Sequence, residues 1–230
     1  MIRLNKSQKG FTILELMIAT VVFSVLLLGA ATMLVQIGRL YYKGVVTSRT
    51  QETVRGISDE VSRAIQFSSN NFEVSGTTLP VQNTAGDTVT VQAFCIGNNR
   101  YSYIINGQVN SSGTYSTYEP GDKQQNWVPR ALWRDARPET CAPLDITQTN
   151  LASDGKEMLG EGMRLFRLDP PQEIDPEAGL VTFRVGVAYG ADNELLDLDT
   201  PNTATCVGSG LGSQWCATSE LNTTLFRRIR

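Results

Sequence analysis

The sequence predicts an α+β fold in which one long N-terminal helix packs on an antiparallel β-sheet domain. Two observations lead to this prediction. From residue 11 to about residue 65 apolar side chains follow helical spacing, first as a continuous apolar run and then as a stripe on one face. Beyond residue 72 they recur at every second position, as in half-buried strands. A sheet packed on the striped half of the helix would bury both apolar surfaces.

The composition is that of a membrane anchor plus one globular domain of ordinary size. The chain has 230 residues, 41% of them hydrophobic, and a net charge of −3. A pI near 5.1 provides no overall positive field for a phosphate backbone, so nucleic acid is not predicted as a partner. The chain contains no histidine, the commonest general base near neutral pH, which disfavours an enzyme.

A short basic leader precedes the helix. Residues 1–9 contain three positive charges and no acid, and no further lysine or arginine occurs before Arg39. This bias predicts that the leader stays in the cytoplasm and the remainder lies outside. The apolar run of about 28 residues would form a helix roughly 42 Å long, more than the hydrocarbon core requires. We therefore predict that residues 11–40 are the transmembrane half of the helix.

Glu15 is the only charged residue in this apolar run. A charged side chain costs roughly 2.5 to 3.5 kcal/mol at mid-bilayer and therefore normally has a partner. A cleaved secretory signal, with small residues at 29–31, fits poorly because the run is long and contains Glu15 near its start. A plain single-pass anchor explains the length and the charge bias but leaves Glu15 without a partner in lipid.

The sequence Lys9-Gly10-Phe11-Thr12-x-x-Glu15, followed by the long apolar run, resembles the class III signal of type IV pilins and type II secretion pseudopilins. The resemblance implies that a prepilin peptidase removes residues 1–10 as a leader by cutting between Gly10 and Phe11, and then N-methylates Phe11. It also implies that Glu15 serves subunit assembly, because a neighbour's terminal ammonium can neutralise the carboxylate. The implied partners are the peptidase, which is also the methyltransferase, other pilin or pseudopilin subunits, an inner-membrane assembly platform and, before assembly, membrane lipid.

Residues 41–71 are predicted to be the amphipathic half of the same helix. Apolar positions recur there every three or four residues, with charged residues on the other faces. The Ser-Ser-Asn-Asn run at 68–71 ends the pattern. A break into two helices at Gly44 or Gly56 is the alternative. The stripe consists of Val46, Thr50, Val54, Ile57, Val61 and Ile65.

Residues 72–230 are predicted to form the extracytoplasmic β-rich domain. The clearest alternation is at 180–189, and residues 88–96 and 100–105 flank a Gly-Asn-Asn turn that predicts a hairpin. Further strand candidates are 127–133, 163–168 and 221–229, and the polar segments 111–126, 135–151, 169–179 and 192–213 are predicted to be long surface loops.

Four cysteines behind an export signal predict disulfides, whereas a cytosolic protein would keep four unlinked thiols. Three pairings are possible. Cys206 with Cys216 is favoured because the Gly/Ser-rich residues 207–215 make a short flexible loop that a bridge could close. Cys95 with Cys141 then follows by elimination.

Asp192, Asp197 and Asp199 belong to a cluster of oxygen ligands that could hold calcium, and some pseudopilins bind calcium in loops. Their spacing does not match an EF-hand loop, so a solvated acidic loop is the favoured interpretation. The sequence contains no pattern that calls for an organic cofactor.

Scattered pieces of the domain resemble minor pilins of the PilW type and J-type pseudopilins: residues 131–134, 162–166 and 181–189, and the C-terminal strand ending in Arg227-Arg228. This resemblance implies membership of a small tip complex that starts fibre assembly. We predict a structural, non-enzymatic minor subunit, first in the inner membrane with its domain outside the cytoplasm and then in a fibre. The alternative is a membrane-tethered extracytoplasmic binding or adhesive module that does not polymerise.

Overall fold

The computed structural model describes residues 10–68, 72–82, 88–107, 130–146, 151, 154–190, 196–198, 200, 202–207 and 213–227. The chain divides into two compact units, Met1–Tyr42 and Lys43–Arg230. One long helix, α1, begins in the first unit and ends in the second, and all the described strands belong to the second.

Helix α1 spans Ile13–Phe67, 55 residues, without a break at either glycine where the sequence allowed one. A Cβ added at Gly44 or Gly56 would meet nothing within 4 Å, so both glycines lie on open faces of the helix. The helix ends as predicted, at Phe67. The six residues of the predicted stripe are all buried, together with Ser58. The amphipathic pattern is therefore confirmed in the part of α1 that belongs to the second unit.

Eleven strands lie in the part of the chain that the structure describes. They are β1 Glu73–Val74, β2 Leu79–Gln82, β3 Thr88–Ile96, β4 Asn99–Tyr103, β5 Leu132–Ala136, β6 Lys156–Glu157, β7 Met163–Asp175, β8 Leu180–Tyr189, β9 Leu196–Asp197, β10 Thr205–Cys206 and β11 Ala217–Phe226, and a 3₁₀ turn, Ser213–Trp215, precedes β11.

All the strand pairs are antiparallel. The larger sheet has the order β1-β3-β4-β5-β6, with β2 also pairing with β3. A second sheet has the order β11-β8-β7, and β9 and β10 form a two-stranded ribbon. The predicted hairpin is confirmed as β3 and β4, joined at Gly97, whose φ of +56° suits a residue without a Cβ.

The buried stripe of α1 forms one core with residues of both larger sheets. Val54, Ile57, Val61 and Ile65 share this core with aromatic residues of β3 and β4, such as Phe94, and with the inward-facing residues of β5, β7 and β8. Each fully buried large apolar side chain contributes roughly 1.5–3 kcal/mol relative to leaving it exposed. The predicted α+β class, a long helix packed on antiparallel sheet, is confirmed.

Polar contacts also tie α1 to the two sheets. The hydroxyl groups of Ser58 and Thr223 of β11 lie 2.8 Å apart. The Glu60 carboxylate forms an ion pair with Arg134 of β5. Both side chains of this ion pair are about one-third exposed, so the ion pair fixes orientation more than it stabilises.

Strand β7 corrects one prediction, because it runs through most of the expected loop at 169–179. The segment contains Pro170 and Pro171, but β7 is an edge strand of the described sheet, where a missing backbone donor is tolerated. The register against β8 shifts between Asp169 and Gln172, so a bulge absorbs the two prolines. Only 176–179 form the turn into β8.

Two other strand boundaries differ from prediction. Strand β11 begins earlier than 221, because it pairs without a shift along the whole of β8, from Ala217 opposite Tyr189 to Phe226 opposite Leu180. Strand β5 begins at Leu132 rather than 127, and residues 127–129 lie outside the described part of the chain. The predicted loop at 111–126 also lies outside it.

Candidate processing and assembly site

The residues immediately before α1 form an exposed, non-helical segment. Gly10, Phe11 and Thr12 precede the first helical residue, and the Phe11 side chain is 85% exposed. A Cβ at Gly10 would meet nothing within 4 Å. Exposed segments outside regular structure are where proteases act most readily. The Gly10–Phe11 peptide bond therefore lies where an enzyme can reach it without unwinding the helix.

Thr12 and Glu15 form a capping box at the start of α1. The Thr12 N–H and the Thr12 hydroxyl each donate to Oε2 of Glu15, both at 2.9 Å. In return, the Glu15 N–H donates to the Thr12 hydroxyl oxygen at 3.2 Å. These bonds satisfy donors that the first turn of a helix leaves without intrahelical partners. Glu15 therefore has a local structural role that does not need a second subunit.

The spacing Thr-x-x-Glu is itself the sequence signature of a capping box, so this role could have been predicted from residues 12–15. Both hydrogen bonds that the Glu15 carboxylate accepts from Thr12 end at Oε2, and no described residue donates a hydrogen bond to Oε1. The side chain is exposed. The carboxylate can consequently keep the cap and still accept a donor from outside the chain.

The apolar side chains of the first unit are exposed on every face of the helix. From Phe11 to Tyr42 no side chain is buried, and the exposed large hydrophobic residues include Leu14, Val22, Leu28 and Leu34. The helix is long and apolar enough to cross a membrane. A helix that is apolar all round needs lipid or other apolar helices around it.

The four cysteines form two disulfides, so the prediction of disulfides is confirmed. Cys95 in β3 is bonded to Cys141, which follows β5, and their Cα atoms are 5.9 Å apart. Cys206 in β10 is bonded to Cys216, which precedes β11, with Cα atoms 5.7 Å apart. These are the two pairs that the sequence favoured. The first disulfide links β3 to the segment that follows β5, and the second links β10 to the residue that precedes β11.

The candidate calcium ligands are only partly described. Asp192 and Asp199 lie outside the described residues, and Asp197 is an exposed residue of β9. Within the described ranges, no group of three metal-ligating side chains is close enough to hold an ion. Calcium binding therefore stays a hypothesis.

Sequence reasoning missed a second carboxylate of note, Glu157 of β6. Its oxygens accept backbone hydrogen bonds from Ala131 and Leu132 at 3.1 Å and from Leu159 at 3.0 Å. Enclosure of the carboxylate raises the pKa of Glu157 to about 7, although the backbone N–H groups oppose the rise. The contacts hold β6 to the start of β5, so Glu157 belongs to the fold rather than to a reactive site.

Comparison with known proteins bears on the N-terminal region alone. A family model described as the prokaryotic N-terminal methylation motif matches residues 5–31. This match includes Gly10, Phe11 and Glu15. The comparisons with curated proteins and with solved structures give no significant match.

The chain therefore has a class III signal of the type IV pilin kind. This signal implies processing by a prepilin peptidase and assembly with other pilins. Together with the apolar helix it fits a single-pass inner-membrane protein. The motif and the β-sheet domain both point to a structural protein rather than an enzyme.

Proposed function

We propose that this chain is a structural subunit of a type IV pilus or a type II secretion pseudopilus. One observation supports this above all: the matched motif at 5–31 covers the change from the exposed segment 10–12 to a helix with apolar side chains on every face. Such a helix can be held by lipid before assembly and by neighbouring helices afterwards, where packing replaces lipid contact. The domain then remains outside the cytoplasm, as the leader charges indicate.

The processing step is cleavage after Gly10 followed by N-methylation of Phe11. Cleavage would leave Phe11 and Thr12 as the only residues ahead of the helix. The Thr12–Glu15 capping box survives this cut, since both of its residues lie on the retained side. The mature chain can therefore keep a well-formed helix start at its own amino terminus.

The assembly role belongs to Glu15. A carboxylate that leaves the headgroup region for a packed bundle needs an opposite charge, and each mature neighbour would provide one at its Phe11 amino group. Oε1 is available for that contact, because the capping box uses Oε2. The neighbour's ammonium would then bind without displacing the cap.

We further propose that residues 11–40 are the membrane anchor, residues 41–71 the helical spine and residues 72–230 the β-rich domain. We also propose that the chain is one of the minor subunits of a tip complex. The support for the tip position is the likeness of residues 131–134, 162–166 and 181–189 to PilW-type pilins and J-type pseudopilins. These segments fall at β5, at the start of β7 and in β8, and they supply core residues such as Leu132, Leu165 and Val185.

Intact-mass spectrometry of the protein isolated from membranes of cells that contain a prepilin peptidase tests the processing step. We expect a mature chain that starts at N-methylated Phe11. Gly10→Val should leave the chain uncut, and Gly29→Val serves as a matched control because a Cβ meets open space at both glycines. A mature start at any other residue contradicts the processing proposal.

Sheared fibres test the assembly step. We expect the processed chain in the fibre fraction, crosslinked to other pilins through residues 11–40. A correctly processed chain that stays wholly in the membrane fraction would contradict assembly. That result would favour the membrane-tethered binding module instead.

A further inference from the structure

The second unit exposes two apolar side chains beside one disulfide. Val207 follows Cys206 and is 47% exposed, and Trp215 precedes Cys216 and is 42% exposed. Because the bonded cysteines have Cα atoms 5.7 Å apart, the Cα atoms of Val207 and Trp215 lie within about 13 Å of each other. We call these four residues the disulfide corner.

Lys43 fixes the disulfide corner to the helix. Its Nζ donates a hydrogen bond of 2.8 Å to the backbone oxygen of Cys216. Lys43 is half-buried, so this charge-assisted bond is sheltered and holds the corner close to the start of the second unit.

Lys43 follows the proposed transmembrane half closely in the chain. Lys43 is three residues after Leu40, the proposed end of the transmembrane half, and three residues of helix rise only about 4.5 Å. The headgroup region of a bilayer is about 5–8 Å thick on each side of the hydrocarbon core. With the transmembrane half ending at Leu40, as proposed, a group bound to Lys43 lies at the depth of the headgroups.

The side chains also suit that depth. Tryptophan and tyrosine concentrate at membrane interfaces, where an apolar ring meets the hydrocarbon edge and its polar group stays wet. Tyr41 and Tyr42 are exposed on the helix immediately before Lys43. Trp215 and Val207 are exposed apolar residues of the second unit that the disulfide and the Cys216 hydrogen bond hold close to Lys43.

We propose that the disulfide corner is a lipid-docking surface that rests in the headgroup region of the inner membrane before assembly. The proposal rests on the proposed function, because it needs residues 11–40 to span the bilayer. It goes beyond that function by giving the domain its own membrane contact. Extraction of the subunit into a fibre must then break this contact as well as withdraw the helix.

Tryptophan quenching in the full-length protein tests the proposal. The chain would be reconstituted in phosphatidylglycerol and phosphatidylethanolamine vesicles containing phosphatidylcholine brominated on the acyl chain close to the headgroup. We expect the bromolipid to quench part of the fluorescence, and Trp215→Phe to remove roughly half or more of that quenching, although Trp127 and Trp133 remain. Equal quenching of the parent and Trp215→Phe overturns the proposal.

Two matched pairs of variants sharpen the test. Val207→Asp should lower Trp215 quenching, whereas Val74→Asp, at a valine of β1 that is 44% exposed, should leave it unchanged. Lys43→Met keeps an apolar stem but lacks the donor to Cys216, so it should also lower the quenching, whereas Lys156→Met should not. Equal effects of the two members of either pair overturn the proposal.

Resistance of the same vesicles to alkaline carbonate extraction separates this proposal from the proposed function. A chain that resists extraction but shows no Trp215 quenching has its helix inserted and its corner in water, which overturns the docking surface alone. A chain that is extracted has no membrane-spanning helix, which overturns both.

Discussion

The two parts of α1 have the same secondary structure but opposite relations to their surroundings. In residues 13–42 no side chain is buried and most residues are apolar, whereas in residues 43–67 seven residues are buried and the other faces are mostly polar or charged. The exposed apolar side chains of the first part are explained by lipid and by other subunits. The second part is explained by the core of its own domain. Substitutions in the two parts should therefore change different measurements.

The largest effect is expected at Glu15, where the charge and the cap can be separated. Glu15→Gln keeps a side chain that can complete a capping box but removes the charge, and Thr12→Ala keeps the charge but removes the hydroxyl group that makes two of the three capping hydrogen bonds. If a neighbour's ammonium binds Glu15, Glu15→Gln should lower fibre incorporation about tenfold or more, because an unpaired terminal ammonium in the bundle is strongly destabilising.

The measurement is the ratio of mature subunit in sheared fibres to that in membranes. Thr12→Ala should reduce this ratio much less, since a lost cap costs only about 1 kcal/mol of helix stability. Thr12→Ser, which keeps the hydroxyl, is the control. If instead Thr12→Ala equals Glu15→Gln in effect, the cap and not the charge is the basis of the glutamate's role.

The next largest effect is the difference in domain stability between alanine substitutions at a buried and at an exposed isoleucine. Ile57→Ala removes a side chain that is fully buried in the core, and the expected loss in free energy of unfolding of the domain is about 2–5 kcal/mol. Ile18→Ala makes the same change in the exposed part of the helix. It should leave thermal unfolding of the domain within about 0.5 kcal/mol of the parent. A comparable loss at Ile18 would show that the first part of the helix has contacts within its own domain.

Glu15 and Glu157 lie in contrasting environments, and this contrast predicts how the stability of the domain depends on pH. Glu15 is exposed, whereas the Glu157 carboxylate is enclosed and its pKa is raised from 4.5 to about 7. A raised pKa in the folded state means that the protonated form is favoured by folding, so this contribution is present below about pH 4.5 and lost as the pH rises through about 7. The expected loss between these limits is at most about 3.5 kcal/mol.

Chemical denaturation of the parent and of Glu157→Gln between pH 5 and 8 measures this contribution. The glutamine variant cannot titrate at this position, so its free energy of unfolding should change less with pH. Its amide group places a donor opposite backbone donors, so the variant should also be less stable than the parent. Equal slopes for the two proteins would mean that Glu157 does not titrate in this range.

The sequence predicted those parts of the structure that depend on residues close together in the chain. The buried stripe of α1 was found because its residues recur on one face of a single helix, and β8 because its residues alternate between two faces. The disulfides followed from four cysteines behind an export signal. The Thr12–Glu15 cap is also encoded locally, by the spacing Thr-x-x-Glu, whereas the cost of a charge in lipid predicts only a partner outside the chain.

The parts that were missed depend on residues far apart in the chain. Strand β7 continues past Pro170 because β8 pairs with it from one side and no described strand needs its other side. The surroundings of Glu157 arise because β6 lies beside β5, whose amides are more than twenty positions earlier in the chain. The link from Lys43 to Cys216 joins residues 173 positions apart. No periodicity in the sequence predicts such contacts.

The smallest expected effect uses the open glycines of α1. Gly56→Ala adds a Cβ that meets nothing within 4 Å and replaces a poor helix former, so the free energy of unfolding of the domain should rise by about 0.5–1 kcal/mol. Gly29→Ala makes the same change in residues 13–42, where it should leave domain unfolding unaltered. Thermal unfolding followed by near-ultraviolet circular dichroism reports chiefly the domain, because the aromatic residues packed in its core and its two disulfides give most of that signal. Stabilisation by both variants would mean that the whole helix unfolds as one unit with the domain. The two parts of α1 would then differ in their surroundings, but both would unfold cooperatively with the domain.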